Sequence, residues 1–259
     1  MNLQLEGKRA LVTGSTAGIG FAIAETLAAE GAAVIVNGRT QKRVDDALAK
    51  LKGTVQGIAA DLGTAEGAAL VAARFPEVDI LVNNLGIFEV KEFEQIDDAD
   101  WRRFFEVNVL SGVRLSRQYL PGMKQRNWGR IIFISSESGV QIPTEMIHYG
   151  MTKTAQIAVA RGLAETTKGT NVTVNSVLPG PTASEGVGNF VKSMAEAQKT
   201  DTATVEREFF KSVRPSSLIQ RFSRTEEVAA LVAFVASPLS SSTNGAALRV
   251  DGGVVKGIL

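Results

Sequence analysis

The sequence predicts an α/β fold in which a doubly wound parallel sheet carries helices on both faces. Three observations predict it. Short apolar, β-branched runs alternate with longer amphipathic stretches along the chain. The strand runs are apolar on both faces, as strands covered from both sides must be. The repeated strand–helix–strand order calls for right-handed crossovers, which stack helices on each side of one sheet.

Taken in order, residues 8–13 (KRALVT) read as a buried strand, followed by a helix over 18–30. Residues 33–37 (AVIVN) are a strand and 41–50 a helix; 54–60 are a weaker strand before a helix over 64–75. Residues 78–82 (VDILV) form the next strand, and a long helical stretch spans 100–125, punctuated by Pro121 and Gly122. Residues 130–135 (RIIFIS) are a strand, 149–168 a helix, 172–178 a strand, 225–236 a helix and 247–250 a short last strand. From 179 to about 223 the pattern is irregular, with a polar helical stretch that sets Phe190, Val191 and Met194 on one side. An insertion this long after a strand's C-terminal end is expected to be a helical substrate lid over about 181–223. No Pro/Gly-rich or single-charge block divides the chain, so one domain over 1–259 is expected.

Composition narrows the chemistry. There is no cysteine and one histidine, His148, which excludes disulfides, thiolate nucleophiles and Cys- or His-built metal sites. Lys and Arg outnumber Asp and Glu by 28 to 27, so nothing in the charge points to nucleic acid or an anionic membrane. Residues 1–9 lack the apolar run of a secretion signal, and 228–236 are too few to span a bilayer. A cytoplasmic protein is expected.

The first strand runs into Thr13-Gly14-Ser15-Thr16-Ala17-Gly18-Ile19-Gly20, a GxxxGxG turn that opens an alanine-rich helix. Gly14 permits the tight turn, Gly18 lets backbone approach a pyrophosphate, and Gly20 lets helix pack close on strand. The helix N-terminus offers free N–H groups to phosphate. Dinucleotide binding in a Rossmann-type fold is expected, with Thr16 and Ile19 in the same turn. At the end of the second strand an acidic residue would select NAD through the ribose 2′-hydroxyl. Here that place holds Gly38, and Arg39 beside it suits a 2′-phosphate, so NADP(H) is favoured over NAD(H).

The turn TGSTAGIG resembles that of the short-chain dehydrogenase/reductase family, in its compact single-domain branch. The resemblance runs from about residue 5 to 253. It implies that Asp61 accepts from the adenine amino group, with Leu62 beside it among the cofactor-binding residues, and that Asn84 and Gly86, in Asn83-Asn84-Leu85-Gly86, lie beneath the cofactor. Leu85 stands where the family has alanine and needs local room. Pro179, Gly180 and Thr182 would flank the nicotinamide carboxamide; Ser184 replaces a usual threonine, and Val250-Asp251-Gly252-Gly253 matches a C-terminal signature.

Asn108, Ser136, Tyr149 and Lys153 resemble the family's catalytic tetrad, with Ser136 thirteen positions before Tyr149. Tyr149 and Lys153 are one helical turn apart. A phenol titrates near 10, too high for a base at neutrality, and a neighbouring ammonium lowers it. Tyr149 is therefore expected as acid or base, and Lys153 as the group that lowers its pKa and holds the nicotinamide ribose. Ser136 would donate to the substrate oxygen. By the resemblance, Asn108 would bind a relay water to Lys153. His148 is read as an accidental neighbour or a substrate-rim residue.

Glu137, Ser138, Gln141, Ile142 and Met146 are expected on one side of the substrate pocket, and the lid residues Phe190, Met194, Phe209 and Phe210 on the other. Glu137 either reads a polyol or amine or points to water. The function expected is an NADP-dependent oxidoreductase for a secondary alcohol or ketone, in particular a 3-oxoacyl-thioester reductase. The alternatives are a sugar or polyol dehydrogenase using NAD(P), a non-catalytic dinucleotide-binding regulator, and a scaffold or interaction module. Lys124, Arg126 and Arg130 are a candidate contact for an acidic carrier, or a solvated surface. The resemblance implies a dimer or tetramer, with the apolar tail 254–259 either at its interface or disordered.

Overall fold

The computed structural model describes residues 2–258, apart from the side chains of Asn189, Phe190 and Gln198. Phe190, expected at the substrate pocket, thus lies outside the described side chains.

Seven strands form one sheet: β1 (Arg9–Val12), β2 (Ala33–Gly38), β3 (Val55–Ala59), β4 (Ile80–Asn83), β5 (Gly129–Ile134), β6 (Val172–Pro179) and β7 (Ala247–Val250). Their order is β3-β2-β1-β4-β5-β6-β7, and every neighbouring pair is parallel. The chain winds outward from β1 through β2 and β3, then returns to β4 on the other side. This reversal leaves a crevice beyond the C-terminal ends of β1 and β4, where open α/β sheets bind ligands. The glycine turn follows β1 and the Asn83–Gly86 segment follows β4, so both are delivered to that crevice.

Helices α1 (Gly18–Ala29), α2 (Gln41–Leu48) and α3 (Ala65–Arg74) follow the first three strands. Next come α4 (Asp98–Phe105), α5 (Ser111–Gln125) and α6 (Ile147–Glu165), then α7 (Glu185–Gln198), α8 (Thr202–Glu208) and α9 (Thr225–Ala236). On one face Ile23 and Leu27 of α1 pack with Val228 and Val232 of α9 over β1, β2 and β4. On the other, Val71 of α3, Leu115 and Tyr119 of α5 and Ala160 of α6 share a second core with Leu11, Leu81 and Ile131. Burial from both sides is why these strands read as unbroken apolar runs.

The long helix expected over 100–125 is in fact two helices joined by a wider, π-type turn at Glu106–Leu110. Pro121 does not end α5. Buried Tyr119 and Met123 hold the helix on the sheet, and the Tyr119 hydroxyl donates to the carbonyl of Phe75 at 2.9 Å. Packing here overrides proline's propensity. The lid, expected to be helical over about 181–223, consists of α7, α8 and a π-type turn at Phe209–Val213. Ser184 and Asp201 cap α7 and α8 by accepting from Val187 N and Thr204 N.

The tail begins inside the molecule. Val254 and Val255 are buried, and Ser216 Oγ donates to the Val254 carbonyl at 2.7 Å. Only beyond them does the chain leave the core, Ile258 being 94% exposed. Arg130, expected on a basic surface, is buried and donates to the carbonyls of Ser237, Gly129 and Asn171. Lys124 and Arg126 donate to the carbonyls of Thr166 and Val78. This cluster ties β5 to its neighbours, and Arg130 is not accessible to a carrier. Among the described residues no helix is long and apolar enough to cross a membrane.

Candidate active site

The glycine turn needs glycine for two separate reasons. Gly14 and Gly18 have φ of 58° and 57°, in the left-handed region that side chains avoid. Gly20 is required by space: a Cβ there would stand 2.4 Å from Asn84 Nδ2 and 2.5 Å from the Gly14 carbonyl oxygen. The N-cap of α1 is Ala17, which supplies no side-chain acceptor, so the first N–H groups of α1 stay open to a ligand. Asn84 braces the turn, its Nδ2 donating to the carbonyls of Thr13 (2.9 Å) and Gly14 (3.1 Å). Asn37, whose role sequence reasoning missed, braces it from β2: Oδ1 accepts from Gly14 N at 3.2 Å and Nδ2 donates to the Ala60 carbonyl at 3.1 Å.

At the end of β2, a Cβ on Gly38 would lie 2.5 Å from the Thr16 methyl. Arg39 is exposed and has no ion-pair partner among the described residues, whereas Lys42 pairs with Asp46 and Arg43 with Glu185. Asp61 Oδ1 accepts from Gly63 N at 2.9 Å, and Thr64, not Asp61, caps α3. Leu62 is buried in the second core, so its side chain packs there and does not reach the crevice. Leu85 has its room: it rests against that core, and its N–H donates to Thr13 Oγ1 at 2.9 Å.

Beside this crevice a cavity of about 470 Å³ opens. Ile19, Asn84, Gly86, Pro179, Gly180 and Thr182 line one end; Ser136, Glu137, Ser138, Tyr149 and Lys153 line its wall. Met146, Met194, Phe209 and Phe222 contribute from the flank and the lid. Gln141 and Ile142 are exposed and outside it, because the chain turns away after the short helical turn Glu137–Gly139. Phe210 is also outside, buried beneath the lid between Phe209 and Phe222.

Ser136 lies two residues beyond the end of β5, at the entry to the turn Glu137–Gly139, and Tyr149 and Lys153 project from one face of α6. The Lys153 ammonium lies 5.5 Å from the centre of the Tyr149 ring and donates to the Ile134 carbonyl at 2.9 Å and Gln156 Oε1 at 3.1 Å. Burial pushes the Lys153 pKa down to about 7. The Tyr149 phenol is held well above its ordinary value, first by burial and then by the Glu137 charge; a hydrogen bond from Ser136 and the Arg214 charge partly offset this. This reverses the expectation for the protein alone: burial outweighs a lysine that itself loses charge near neutrality.

Asn108 sits in the π-type turn. Its Nδ2 donates to the Ile87 carbonyl and Thr152 Oγ1, both at 3.0 Å, and its Oδ1 accepts from Ile87 N at 2.8 Å. Its own carbonyl accepts from Gln156 Nε2 at 2.6 Å.

Glu137 does not point to water. It is 4% exposed, and its Oε1 pairs with Arg214 Nε at 2.9 Å. Arg214 Nη1 reaches Glu145 Oε1 at 3.2 Å. Arg214 and Glu145 were invisible to spacing arguments, since Arg214 lies 77 residues along the chain from Glu137.

His148 is fully buried, 4.0 Å centre to centre from the Phe104 ring, and neither ring nitrogen has a partner among the described residues. It is therefore a core residue and not a substrate-rim one. Burial lowers its pKa, with the Asp100 charge opposing. The unfolded chain takes this proton near pH 6.5 and the folded one only at lower pH, so stability falls as pH drops below about 6.5. His148→Phe should flatten that slope between about pH 7 and pH 5, read from urea midpoints. An unchanged slope would assign it to other groups.

A family model described as short chain dehydrogenase matches residues 8–195. The chain belongs to the short-chain dehydrogenase/reductase family. It is 52% identical, over all of both chains, to "uncharacterized oxidoreductase YvaG" of Bacillus subtilis strain 168. It is 34% identical to a 3-oxoacyl-(acyl-carrier-protein) reductase of Aquifex aeolicus, covering 98% of this chain and 100% of that one. The crystal structure of L-sorbose reductase from Gluconobacter frateurii, complexed with NADPH and L-sorbose, superposes with a TM-score of 0.93 at 31% identity and full coverage of both chains. As a short-chain dehydrogenase/reductase, the protein is an oxidoreductase acting on CH–OH and C=O groups.

Proposed function

We propose that the protein is an NADP(H)-dependent oxidoreductase that interconverts a ketone and a secondary alcohol, with Tyr149 as acid and base. The observation that carries this reading is the convergence of Ser136, Tyr149 and Lys153 on one cavity wall beside the glycine turn. The crevice fits a dinucleotide: Gly14 and Gly18 keep left-handed backbone, the N-terminus of α1 is uncapped, and Gly86 leaves Lys153 Nζ only 3.4 Å from where a Cβ would stand. A bound nicotinamide supplies or accepts the hydride. Tyr149 then gives or takes the proton at the substrate oxygen, Ser136 holds that oxygen, and Lys153 is placed to hold ribose hydroxyls.

NADP is preferred over NAD because no carboxylate can be built at Gly38 without displacing Thr16, and because Arg39 is unpaired and exposed among the described residues. Arg39→Ala should raise KM for NADPH about tenfold and leave that for NADH unchanged. Equal shifts for both cofactors would remove Arg39 from the 2′-phosphate site.

Two substrate classes have support. The apolar lid wall, with Val187, Met194 and Phe209, suits a 3-oxoacyl thioester. The polar cluster of Glu137, Arg214 and Glu145 in the same cavity favours a second reading, a sugar or polyol. A carbonyl panel spanning acyl thioesters, ketoses, steroids and quinones, followed by loss of NADPH against NADH absorbance, tests both. No oxidation with any member would overturn the enzymatic reading.

A further inference from the structure

We propose that Glu137 selects an uncharged α-hydroxy ketone, and the vicinal diol formed from it, by holding the Ser136 proton until a substrate hydroxyl takes its place. The proposal rests on the oxidoreductase reading above and commits it to one substrate class.

Ser136 has one proton, and two groups need it. The reacting carbonyl needs it as charge develops on the oxygen. Glu137 already holds it: Ser136 Oγ lies 2.5 Å from Glu137 Oε2. Paired with the Arg214 guanidinium at 2.9 Å, Glu137 is a carboxylate and only accepts, so Ser136 is the donor. The N–H of Ser138 donates to Ser136 Oγ at 3.1 Å, which fixes the oxygen but gives it no second proton.

A carboxylate oxygen offers two lone-pair sites. Both on Oε2 are filled, by Ser136 and by Ser138 Oγ at 2.6 Å, while Arg214 of the lid holds Oε1. Ser136, Glu137 and Ser138 are all buried, so a donor that turns away is replaced only by a group standing in the cavity they line.

A plain ketone brings an acceptor and no donor. Ser136 must then leave a buried carboxylate short of a hydrogen bond, a loss that a neutral carbonyl does not offset. An α-hydroxy ketone carries an acceptor and a donor on neighbouring carbons. Its hydroxyl takes the Ser136 position on Oε2 as Ser136 swings to the carbonyl, and the number of hydrogen bonds is kept. Displacing Ser138 instead would leave the Ser138 hydroxyl without a new acceptor, since the carbonyl faces Ser136. No covalent bond is made or broken in this exchange; hydride and proton transfer then follow.

The charge of the cavity sets the second requirement. Glu137, Glu145 and Glu208 line it, and among the described residues only Arg214 and Lys153 stand against them. A carboxylate or phosphate on the substrate would meet an excess of like charge.

Matched ketones test the exchange. Hydroxyacetone and butanone differ by a hydroxyl in place of a methyl. Wild-type kcat/KM with NADPH should be at least about a hundredfold higher for hydroxyacetone. In Glu137→Gln the amide oxygen keeps Arg214, and the amide nitrogen donates to Ser136, whose proton is then free. Butanone should gain about tenfold in kcat/KM and hydroxyacetone lose about tenfold, which brings the two near parity. A gain on the plain ketone is not what a structural defect produces. Dihydroxyacetone should be reduced at least about tenfold more efficiently than its phosphate.

Equal wild-type rates on hydroxyacetone and butanone would overturn the exchange and leave the oxidoreductase reading intact. An unchanged preference in Glu137→Gln would remove Glu137 from it, and equal or better reduction of the phosphate would overturn the requirement for an uncharged substrate. The wild-type comparison holds whether or not the variant folds. Should no ketone be reduced, the oxidoreductase reading fails by itself, and calorimetry with xylitol decides the recognition. Binding at least about tenfold weaker in Glu137→Gln than in wild type would support Glu137; equal or undetectable binding would overturn it.

Discussion

Tyr149→Phe should abolish carbonyl reduction while leaving NADPH binding nearly intact. The phenol oxygen is the only part removed. The ring keeps its edge-on contact with Phe88, 6.4 Å between centres, so the cavity wall retains its shape. Ser136 and Lys153 keep partners of their own in Glu137 and the Ile134 carbonyl, so no buried charge is stranded. What is lost is the proton at the substrate oxygen, a contribution of about 10²–10⁴ in rate, or roughly 3–5 kcal/mol of barrier. Steady-state kcat beside an NADPH fluorescence titration checks it. Appreciable residual turnover would take the acid–base role away from Tyr149.

Gly20→Val should remove NADPH binding and destabilise the fold together. The added Cβ meets Asn84 Nδ2 at 2.4 Å, the Gly14 carbonyl at 2.5 Å and Ser15 Cα at 3.0 Å. Two of these are backbone atoms that cannot swing aside. Either α1 lifts from β1 or the turn opens, and both displace the N–H groups that face a phosphate. Overpacking of this kind costs about 1–3 kcal/mol, and each kcal/mol lowers Tm by about 2–4 °C in a chain of this size. Gly162→Ala is the control: no atom lies within 4 Å of its Cβ, and helix propensity should raise stability by about 0.5–1 kcal/mol. NADPH affinity unchanged in Gly20→Val would place the cofactor away from this turn.

Much of the fold was legible because strand burial leaves a local mark. The last helix and last strand match their expected bounds, Thr225–Ala236 and Ala247–Val250. The break at Glu106–Leu110 was not legible: a π-type turn has the same residue types as the helices around it, and the partner of Asn108 within it, the Ile87 backbone, lies 21 residues away along the chain. The helix runs through Pro121 to Gln125 as expected, since packing around Tyr119 and Met123 holds it on the sheet.

In the site, residues whose partners are near in sequence could be placed in advance. The glycine turn, the Tyr149–Lys153 pair and the segment Asn83–Gly86 carry their chemistry in short spacings. Glu137 was left with two readings because its environment is built from elsewhere: Arg214 arrives from the lid and Glu145 from the approach to α6. Leu62 and His148, next to functional positions in sequence, fell into the core because side-chain direction is set by packing and not by neighbours along the chain.

By itself, then, the sequence determined the parallel α/β sheet, the crevice-forming glycine turn and the candidate proton donor, all of which follow from periodicity and local backbone geometry. Only the tertiary structure decided the electrostatics of the site. Whether Glu137 faces water or Arg214, and whether Lys153 meets water or Gln156, depends on distant segments closing over one another. That closure removes solvent, and it is burial that sets the charge states on which the chemistry turns.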